Sequence, residues 1–229
     1  MKKILILLFL ILPLTLEAKI IASGDDCGDD CHWAYDDETK TLSFIGTGTM
    51  YQYTTNQINH DTVGWKWQSE RPWIAYADSV ENLTVSNGFT MLPMYLCSNC
   101  KNLKQVSLPD TLKTMDVCSL RNTALTDIII PSSVTSVSDE TFLHTPSLKT
   151  LYCTKAQAEQ CIAAAIQSES GINPTIYEQT SDGLYKIGSK TYYSLKDMQN
   201  GNYIKKRIYT IDEANAVAGE RNRVSIRYR

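Results

Sequence analysis

The chain has 229 residues, 43% of them hydrophobic and 21% charged, which excludes a peptide effector and allows one or two compact domains. The net charge of -3 hides an asymmetry. Ser23–Cys100 holds three basic and eleven acidic residues, a balance of -8, whereas Gly183–Arg229 holds ten basic and four acidic residues, a balance of +6. A basic end favours acidic partners such as an envelope polymer, and we expect no nucleic-acid partner.

The first 18 residues have the layout of a secretory signal peptide. Lys2 and Lys3 form a basic start, Ile4–Leu12 is an unbroken apolar run, and Ala18 offers a small residue for cleavage. The run is too short to span a bilayer comfortably. We therefore expect cleavage near Ala18, no transmembrane segment in the mature chain, and a secreted, cell-surface or periplasmic location.

Residues 19–78 are predicted to form an N-terminal β cap. Short strands are predicted over Trp33–Tyr35, Thr41–Ile45 and Met50–Tyr53, with turn residues between them. The tryptophans Trp65, Trp67 and Trp73 are expected to fill the junction between this cap and the following segment. The alternative is that they stack on carbohydrate.

An internal repeat follows the predicted cap. The residues Leu103, Val106, Leu108, Pro109, Leu112, Met115 and Leu120 recur 22 residues later as Leu125, Ile128, Ile130, Pro131, Val134, Val137 and Phe142. A degenerate copy begins upstream at Val80, and another begins at Leu148. One such unit is too small to bury its own apolar face, so the units must stack. The pattern predicts a short solenoid over residues 79–152, with about three and a half units.

The repeat resembles a known family. The pattern Leu-x-x-Val-x-Leu-Pro-x-x-Leu-x-x-Met, the phrase Cys97–Leu103 and the flanking segments Cys27–Asp36, Thr41–Met50 and Pro72-Trp73 are similar to the BspA-like leucine-rich repeats of bacterial and protist surface proteins. The resemblance covers residues 27–151. It implies an α+β, mostly β fold and a non-catalytic role in adhesion or protein binding at the cell surface.

Two segments follow the repeats. Residues 153–170 are predicted to form a capping helix that begins after Thr154 and ends before Gly171. Its apolar residues Ala158, Cys161, Ile162, Ala165 and Ile166 share one face. After a loop over residues 171–180, a basic C-terminal module (177–229) is predicted to contain a hairpin over Leu184–Tyr193, a helix over Ile211–Ala218 and a strand over Arg223–Tyr228.

Seven cysteines in an exported chain favour disulfides. The candidate pairs are Cys27–Cys31, Cys97–Cys100 and Cys153–Cys161. The Cys-x-x-Cys spacing at 97–100 also occurs in zinc and redox sites, but the second cysteine pair or the thioredoxin-like context that these need is absent. We expect no catalytic residue, no metal site and no cofactor.

The outward positions of the predicted strands form the candidate binding surface. They make two columns: Asn82, Gln105, Asp127 and Thr150, and Thr84, Ser107, Ile129 and Tyr152. Ile129 and Tyr152 are expected to form an apolar patch at one end, a feature of protein contacts. The leading hypothesis is a binding protein of the cell surface. The alternatives are an envelope-associated structural module held by its basic tail, and a glycan-binding accessory protein.

The basic tail generates the first testable prediction. If residues 183–229 retain the protein at the surface, their deletion moves it from the cell fraction into the medium. Immunoblots of the two fractions measure this shift, and unchanged retention would rule out the tail as an anchor.

Overall fold

The computed structural model describes residues 19–55 and 64–204. The chain divides into two compact units between Glu178 and Gln179. The mostly β character predicted from the sequence is confirmed. The predicted signal peptide, the helix over Ile211–Ala218 and the strand over Arg223–Tyr228 lie outside the described residues.

The secondary structure consists of short strands with few helices. In chain order the strands are β1 (Ile20–Gly24), β2 (Gly28–Asp36), β3 (Thr41–Met50), β4 (Gln52–Thr54), β5 (Trp65–Trp67), β6 (Asn82–Val85), β7 (Met91–Leu92), β8 (Gln105–Ser107), β9 (Thr114–Met115), β10 (Asp127–Ile129), β11 (Ser136–Val137), β12 (Thr150–Thr154), β13 (Thr175–Gln179), β14 (Tyr185–Ile187) and β15 (Lys190–Tyr192). The helices are α1 (Ala158–Gln167) and α2 (Leu195–Gln199), with 3-10 turns at Gln68–Glu70, Ile74–Tyr76 and Lys155–Gln157.

The first sheet joins the N-terminal strands to the repeats. Its order is β1-β2-β3-β6-β8, antiparallel from β1 to β3 and parallel from β3 to β8. Leu42 pairs with Leu83, and Leu83 with Val106, so one row of apolar side chains crosses the parallel strands. Strand β3 therefore serves as the first member of the parallel ladder, although the sequence analysis assigned it to a separate cap.

The second halves of the units stack in a sheet of their own. Strand β9 lies between β7 and β11, and all three run parallel. Leu92 pairs with Met115, which pairs with Val137, and all three side chains are buried. The spacings of 23 and 22 residues predicted from the sequence are confirmed by this register.

The turns that follow strands β7, β9 and β11 are joined to one another by backbone hydrogen bonds. The Asn99 N–H donates to Arg121 O (2.9 Å), and the Asn122 N–H donates to Leu143 O (2.9 Å). Both asparagines have positive φ, 66° and 52°, a conformation that asparagine tolerates better than most residues. Their side chains bond to each other as well, from Nδ2 of Asn122 to Oδ1 of Asn99 (2.8 Å).

Along the chain, helix α1 lies between two strands, β12 and β13, that pair with each other. Strand β12 pairs in parallel with β10 before the helix and with β13 after it, so the ladder continues past the helix. The predicted loop over residues 171–180 is therefore wrong for Thr175–Gln179. In the repeat unit that begins with β12, helix α1 takes the place that a short strand (β7, β9 or β11) occupies in the preceding repeat units.

The buried face of α1 differs from the predicted one. Cys161, Ala164 and Ala165 are buried, but Ile162 and Ile166 are 48% and 71% exposed. Both isoleucines, predicted to share one apolar face with Cys161 and Ala165, therefore lie outside the buried face. Small side chains on the inner face let the helix approach the strands closely, and the bulkier isoleucines remain outside.

Glutamine side chains bond to the backbone at both ends of the β7-β9-β11 ladder. At one end Gln160 of α1 accepts from the Val137 N–H (2.6 Å). At the other end Gln52 of β4 accepts from the Met94 N–H (2.8 Å) and donates to Oδ2 of Asp116 (3.2 Å). An amide side chain carries the same donor and acceptor types as a peptide group, so these residues can satisfy backbone groups at a strand edge.

The largest buried side chain, Trp73, lies where the N-terminal strands meet the first repeat. The centroid of its ring lies 4.7 Å from the ring centroid of Phe44, 5.5 Å from that of Tyr53 and 6.1 Å from that of Trp33. All three pairs are in edge-to-face orientation. Its Nε1–H donates to Leu96 O (3.1 Å). Trp73 is 0% exposed and cannot stack on carbohydrate, which removes it from the glycan-binding hypothesis.

The second unit contains the predicted hairpin. Strands β14 and β15 are antiparallel, with Ile187 opposite Lys190 across the turn. Helix α2 follows, and the Ser194 hydroxyl accepts from the Asp197 N–H (3.0 Å) at its N-terminus. The helix was not predicted from the sequence.

The packing around Trp73 leads to a prediction. Trp73→Ala should lower the free energy of unfolding by about 3–5 kcal/mol, because it leaves a cavity among three rings and removes one of the two hydrogen bonds to Leu96 O. The matched control is Ile74→Ala, at the neighbouring exposed position, which should cost less than about 1 kcal/mol. Urea denaturation measures both. Equal losses would contradict the central role of Trp73.

Candidate binding face

Six polar side chains lie on the outward face of β3, β6 and β8. We call them the binding face: Thr41, Asn82 and Gln105 in one row, and Ser43, Thr84 and Ser107 in the next. Residues within each row pair directly in the strand register. The rows arise because residues alternate between the two faces of a strand, and Leu42, Leu83 and Val106 occupy the inner face.

The binding face carries hydroxyl and amide groups and no charge. Thr84, Gln105 and Ser107 are exposed, and Thr41, Ser43 and Asn82 are half-exposed. Within the described part of the chain, the side chains of Thr84, Gln105 and Ser107 make no hydrogen bond. Strands lie about 4.8 Å apart, so each row offers regularly spaced donors and acceptors to a ligand.

Charged residues border this face at the start of its strands. Lys104 Nζ lies 2.8 Å from Oε2 of Glu81, and Lys40 Nζ lies 2.7 Å from Oδ1 of Asp37. The hydrogen bond with Lys40 holds the pKa of the Asp37 carboxyl below its ordinary value. Exposed pairs of this kind contribute little stability, but they give the face a charged border.

The other four predicted binding residues lie on a different sheet. Asp127 pairs with Thr150, and Ile129 with Tyr152, on strands β10 and β12. Ile129 is only 8% exposed, whereas Tyr152 is half-exposed. Ile129 is therefore not available to a ligand, and the expected exposed apolar patch is reduced to Tyr152.

Thr41 and Ser43 were not predicted from the sequence as members of the binding face. The signal was present, because Thr41-Leu-Ser-Phe has the same alternation as Asn82-Leu-Thr-Val and Gln105-Val-Ser-Leu. The spacing between Thr41 and Asn82 differs from 22 or 23 residues, so the repeat pattern alone does not include this segment. The pairing of β3 with β6 brings the three segments together.

Asp36 fixes the turn that leads into β3. Its carboxylate accepts the N–H groups of Glu38 (2.9 Å) and Thr39 (2.8 Å), which closes the turn between β2 and β3 and places Thr41 opposite Asp36. The hydrogen bond from the Thr39 N–H is the main reason that the pKa of Asp36 lies below its ordinary value.

The candidate disulfides have different geometries. The Sγ atoms of Cys27 and Cys31 lie at bonding distance, 2.07 Å, in the turn that precedes the main part of β2. Cys97 and Cys100, and likewise Cys153 and Cys161, are buried thiols whose members hydrogen-bond to each other. Cys118 is the remaining described thiol. The three pairings remain predictions.

Two histidines are described, each beside one carboxylate. Nδ1 of His32 lies 2.6 Å from Asp25, and Nδ1 of His144 lies 2.8 Å from Glu169. Within residues 19–55 and 64–204, no three histidine, cysteine or acidic side chains are grouped so that they could hold a metal ion. In the same ranges, none of the helices has the length and apolar content needed to cross a bilayer.

Parallel strands that recur every 22–23 residues, with leucine-rich inner rows, define a leucine-rich repeat protein. The family model described as "BspA type Leucine rich repeat region" matches residues 74–199 in six copies, which is more than half of the chain. The chain therefore belongs to the BspA-type leucine-rich repeat family. The match extends beyond the predicted repeat boundary at residue 152.

Two solved structures are similar to the chain. A leucine-rich repeat protein from Eubacterium ventriosum is 16% identical, with a TM-score of 0.38, over 60% of this chain and 45% of that one. A leucine-rich cell surface protein from Faecalibacterium prausnitzii is 16% identical, with a TM-score of 0.34, over 72% of this chain and 60% of that one. The chain thus spans less than two thirds of either protein. Among curated proteins, none matches.

The low pKa of Asp36 leads to a pH prediction. A carboxyl whose pKa is lower in the folded than in the unfolded chain, where it is about 3.9, stabilises the fold above that pH. This contribution is lost as the pH falls through the lower, folded pKa. Asp36→Asn should therefore lower stability at pH 7, and its difference from the wild type should shrink below about pH 4.

Urea denaturation at pH 7 and pH 3 measures this difference. Asp110→Asn, at an exposed position outside this turn, is the matched control for loss of one negative charge. A difference between Asp36→Asn and the wild type that stays constant with pH would contradict the role of the ionised carboxylate.

Proposed function

We propose that the protein is a non-catalytic binding protein, secreted or held at the cell surface, that captures a protein ligand in adhesion. The observation that carries the proposal is the binding face, in which two rows of uncharged hydrogen-bonding side chains lie in register across three strands. Its membership of a family of leucine-rich repeat surface proteins supports an interaction role. Export by the N-terminal segment is part of the proposal.

The ligand-binding residues in this proposal are Asn82, Thr84, Gln105 and Ser107, joined by Thr41 and Ser43. They provide both donors and acceptors, so they suit an extended peptide or a loop better than a charged polymer. Asp127, Thr150 and Tyr152 form a neighbouring contact on the β10–β12 ladder. Ile129 is almost fully buried and offers no accessible surface to that contact.

The proposal also includes a short solenoid closed at both ends. Strands β1 to β4 cover one end and α1 lies near the other. The glutamine bonds of Gln52 and Gln160 support such a closure, because they satisfy backbone groups at the two ends of one ladder. Closure of both ends is needed because an open ladder would pair with other chains.

A second candidate function is attachment to the cell envelope through the basic segment Gly183–Arg229. The charge balance of +6 favours an acidic polymer as its partner. This function does not compete with the first, since one end of the chain can anchor the protein while the binding face captures a ligand.

Substitution at the binding face tests the first proposal. Thr84→Arg with Ser107→Arg should reduce capture of host or neighbouring-cell surface proteins at least tenfold, since two bulky charges block adjacent positions of one row. The matched control is Ser136→Arg, which places the same side chain at an exposed serine of the β7-β9-β11 sheet.

The measurement is a pull-down with the full chain, quantified by mass spectrometry, with circular dichroism to verify folding. Reduced capture by both variants would indicate a general charge effect. Unchanged capture by the double variant would remove the binding face from consideration.

A further inference from the structure

We propose that Cys97 and Cys100 form a reversible thiol–disulfide exchange site whose reduced form is stabilised by the buried guanidinium of Arg71. By contrast, Cys153 and Cys161, which have no such neighbour among the described residues, form the more persistent disulfide. The reaction partner is a low-molecular-weight thiol and its disulfide, of the glutathione class.

The two thiols lie in one turn of the first repeat. The Cys100 N–H donates to Cys97 O (3.1 Å), which closes the turn, and the thiols hydrogen-bond to each other. Both side chains are 0% exposed. A Cys-x-x-Cys pair in a tight turn holds its sulfurs close enough to form a disulfide without a large movement of the backbone.

Arg71 donates hydrogen bonds to several backbone carbonyl groups in and beside this turn. Its Nη1 donates to Tyr95 O (2.8 Å), Leu96 O (3.0 Å) and Ser98 O (3.0 Å), and its Nε donates to Gln68 O (3.0 Å). The guanidinium is 1% exposed, and all these acceptors are neutral carbonyls. Among the described residues, no carboxylate lies within ion-pairing distance of it.

A buried cation without an anion is costly, so a negative charge placed beside Arg71 is favoured. The titratable groups whose charge acts on Arg71 are Cys100, Cys97 and Tyr53. Burial raises the pKa of the Tyr53 phenol well above its ordinary value, so Tyr53 stays neutral. The hydrogen bond from Cys97 is the main cause that lowers the pKa of Cys100, and burial opposes it. The charge of Arg71 lowers this pKa further, and Asp78 raises it.

The second buried pair provides an internal contrast. The pKa of Cys153 is also lowered, by the hydrogen bond from Cys161, but no charged side chain contributes. Both pairs are buried and both are in thiol contact, so the main chemical difference is Arg71. A disulfide is uncharged and does not titrate, so its formation at Cys97–Cys100 removes the groups that could place a negative charge beside Arg71. The charge therefore favours the dithiol at this pair only.

In the proposed exchange, two molecules of the small thiol reduce the Cys97–Cys100 disulfide. A thiolate of the small thiol attacks Cys97 Sγ, the protein disulfide breaks, and Cys100 leaves as a thiolate beside Arg71. A second small thiolate attacks the mixed disulfide at the sulfur of the small thiol, which releases Cys97 and forms the small disulfide. Two electrons pass to the protein. Of the two protons from the small thiols, one ends on Cys97 and one is released to water.

Exchange requires the turn to open, because both sulfurs are buried. The same turn is the attachment point of the N-terminal strands, since Leu96 O accepts from both Arg71 and Trp73. The redox state of this pair is thereby coupled to the joint between those strands and the first repeat.

The test is a redox titration of the full chain in glutathione buffers at pH 7.5. Samples are acid-quenched, alkylated and digested with trypsin. Cys97 and Cys100 fall in one peptide that ends at Lys101, whereas Cys153 and Cys161 fall in peptides 150–155 and 156–186. The two disulfides are thus measured separately in the same sample.

We expect the equilibrium constant for the Cys97–Cys100 disulfide to be at least about tenfold smaller in the folded chain than in 8 M urea, equivalent to about 30 mV. The Cys153–Cys161 constant should not fall on folding. Arg71→Gln should raise the Cys97–Cys100 constant at least about tenfold, and Arg71→Lys should raise it less, because the charge remains. Lys104→Gln, at an exposed position, is the control and should change neither constant.

The proposal is overturned if folding leaves the Cys97–Cys100 constant unchanged or increases it. It is also overturned if Arg71→Gln folds and leaves that constant unchanged. Should Arg71→Gln fail to fold, the comparison of folded and urea-unfolded wild type decides, because urea removes the contact with Arg71 without a substitution.

Discussion

The structure depends on the stacking of units that cannot bury their own apolar residues. Each unit contributes short parallel strands of two to five residues, and neighbouring units complete both its hydrogen bonds and its core. The rows Leu42–Leu83–Val106 and Leu92–Met115–Val137 are the result. Because the inner positions are fixed by this core, the alternate positions must face outward, and the binding face is a direct consequence of the stacking.

An array of this kind needs a first and a last member that differ from the rest. At the N-terminal side, β3 takes part in the ladder itself, and Trp73 and Arg71 bond to the first repeat turn through Leu96 O. At the other side, α1 lies between two paired strands and Gln160 bonds to the edge of β11. These terminal contacts involve single side chains of the right shape, which a repeat pattern does not specify.

Two polar groups at the same joint are buried without an ordinary partner. Arg71 bonds only to neutral carbonyls, and the hydroxyl of Tyr53 is buried without a hydrogen-bond partner among the described residues. A charge in such a place affects every titratable neighbour, because water is not available to screen it. Two cysteine pairs with similar burial therefore differ in their expected chemistry.

The sequence by itself determined the repeat, its spacing, its inner rows and the family, because these follow from residue types at fixed intervals. It also indicated four of the six positions of the binding face, since strand alternation places them outward. The tertiary structure decided the inclusion of Thr41 and Ser43, the burial of Ile129 and the exposure of Ile162 and Ile166. These depend on which elements pair across irregular spacings, and a local pattern carries no information about contacts between segments that do not repeat.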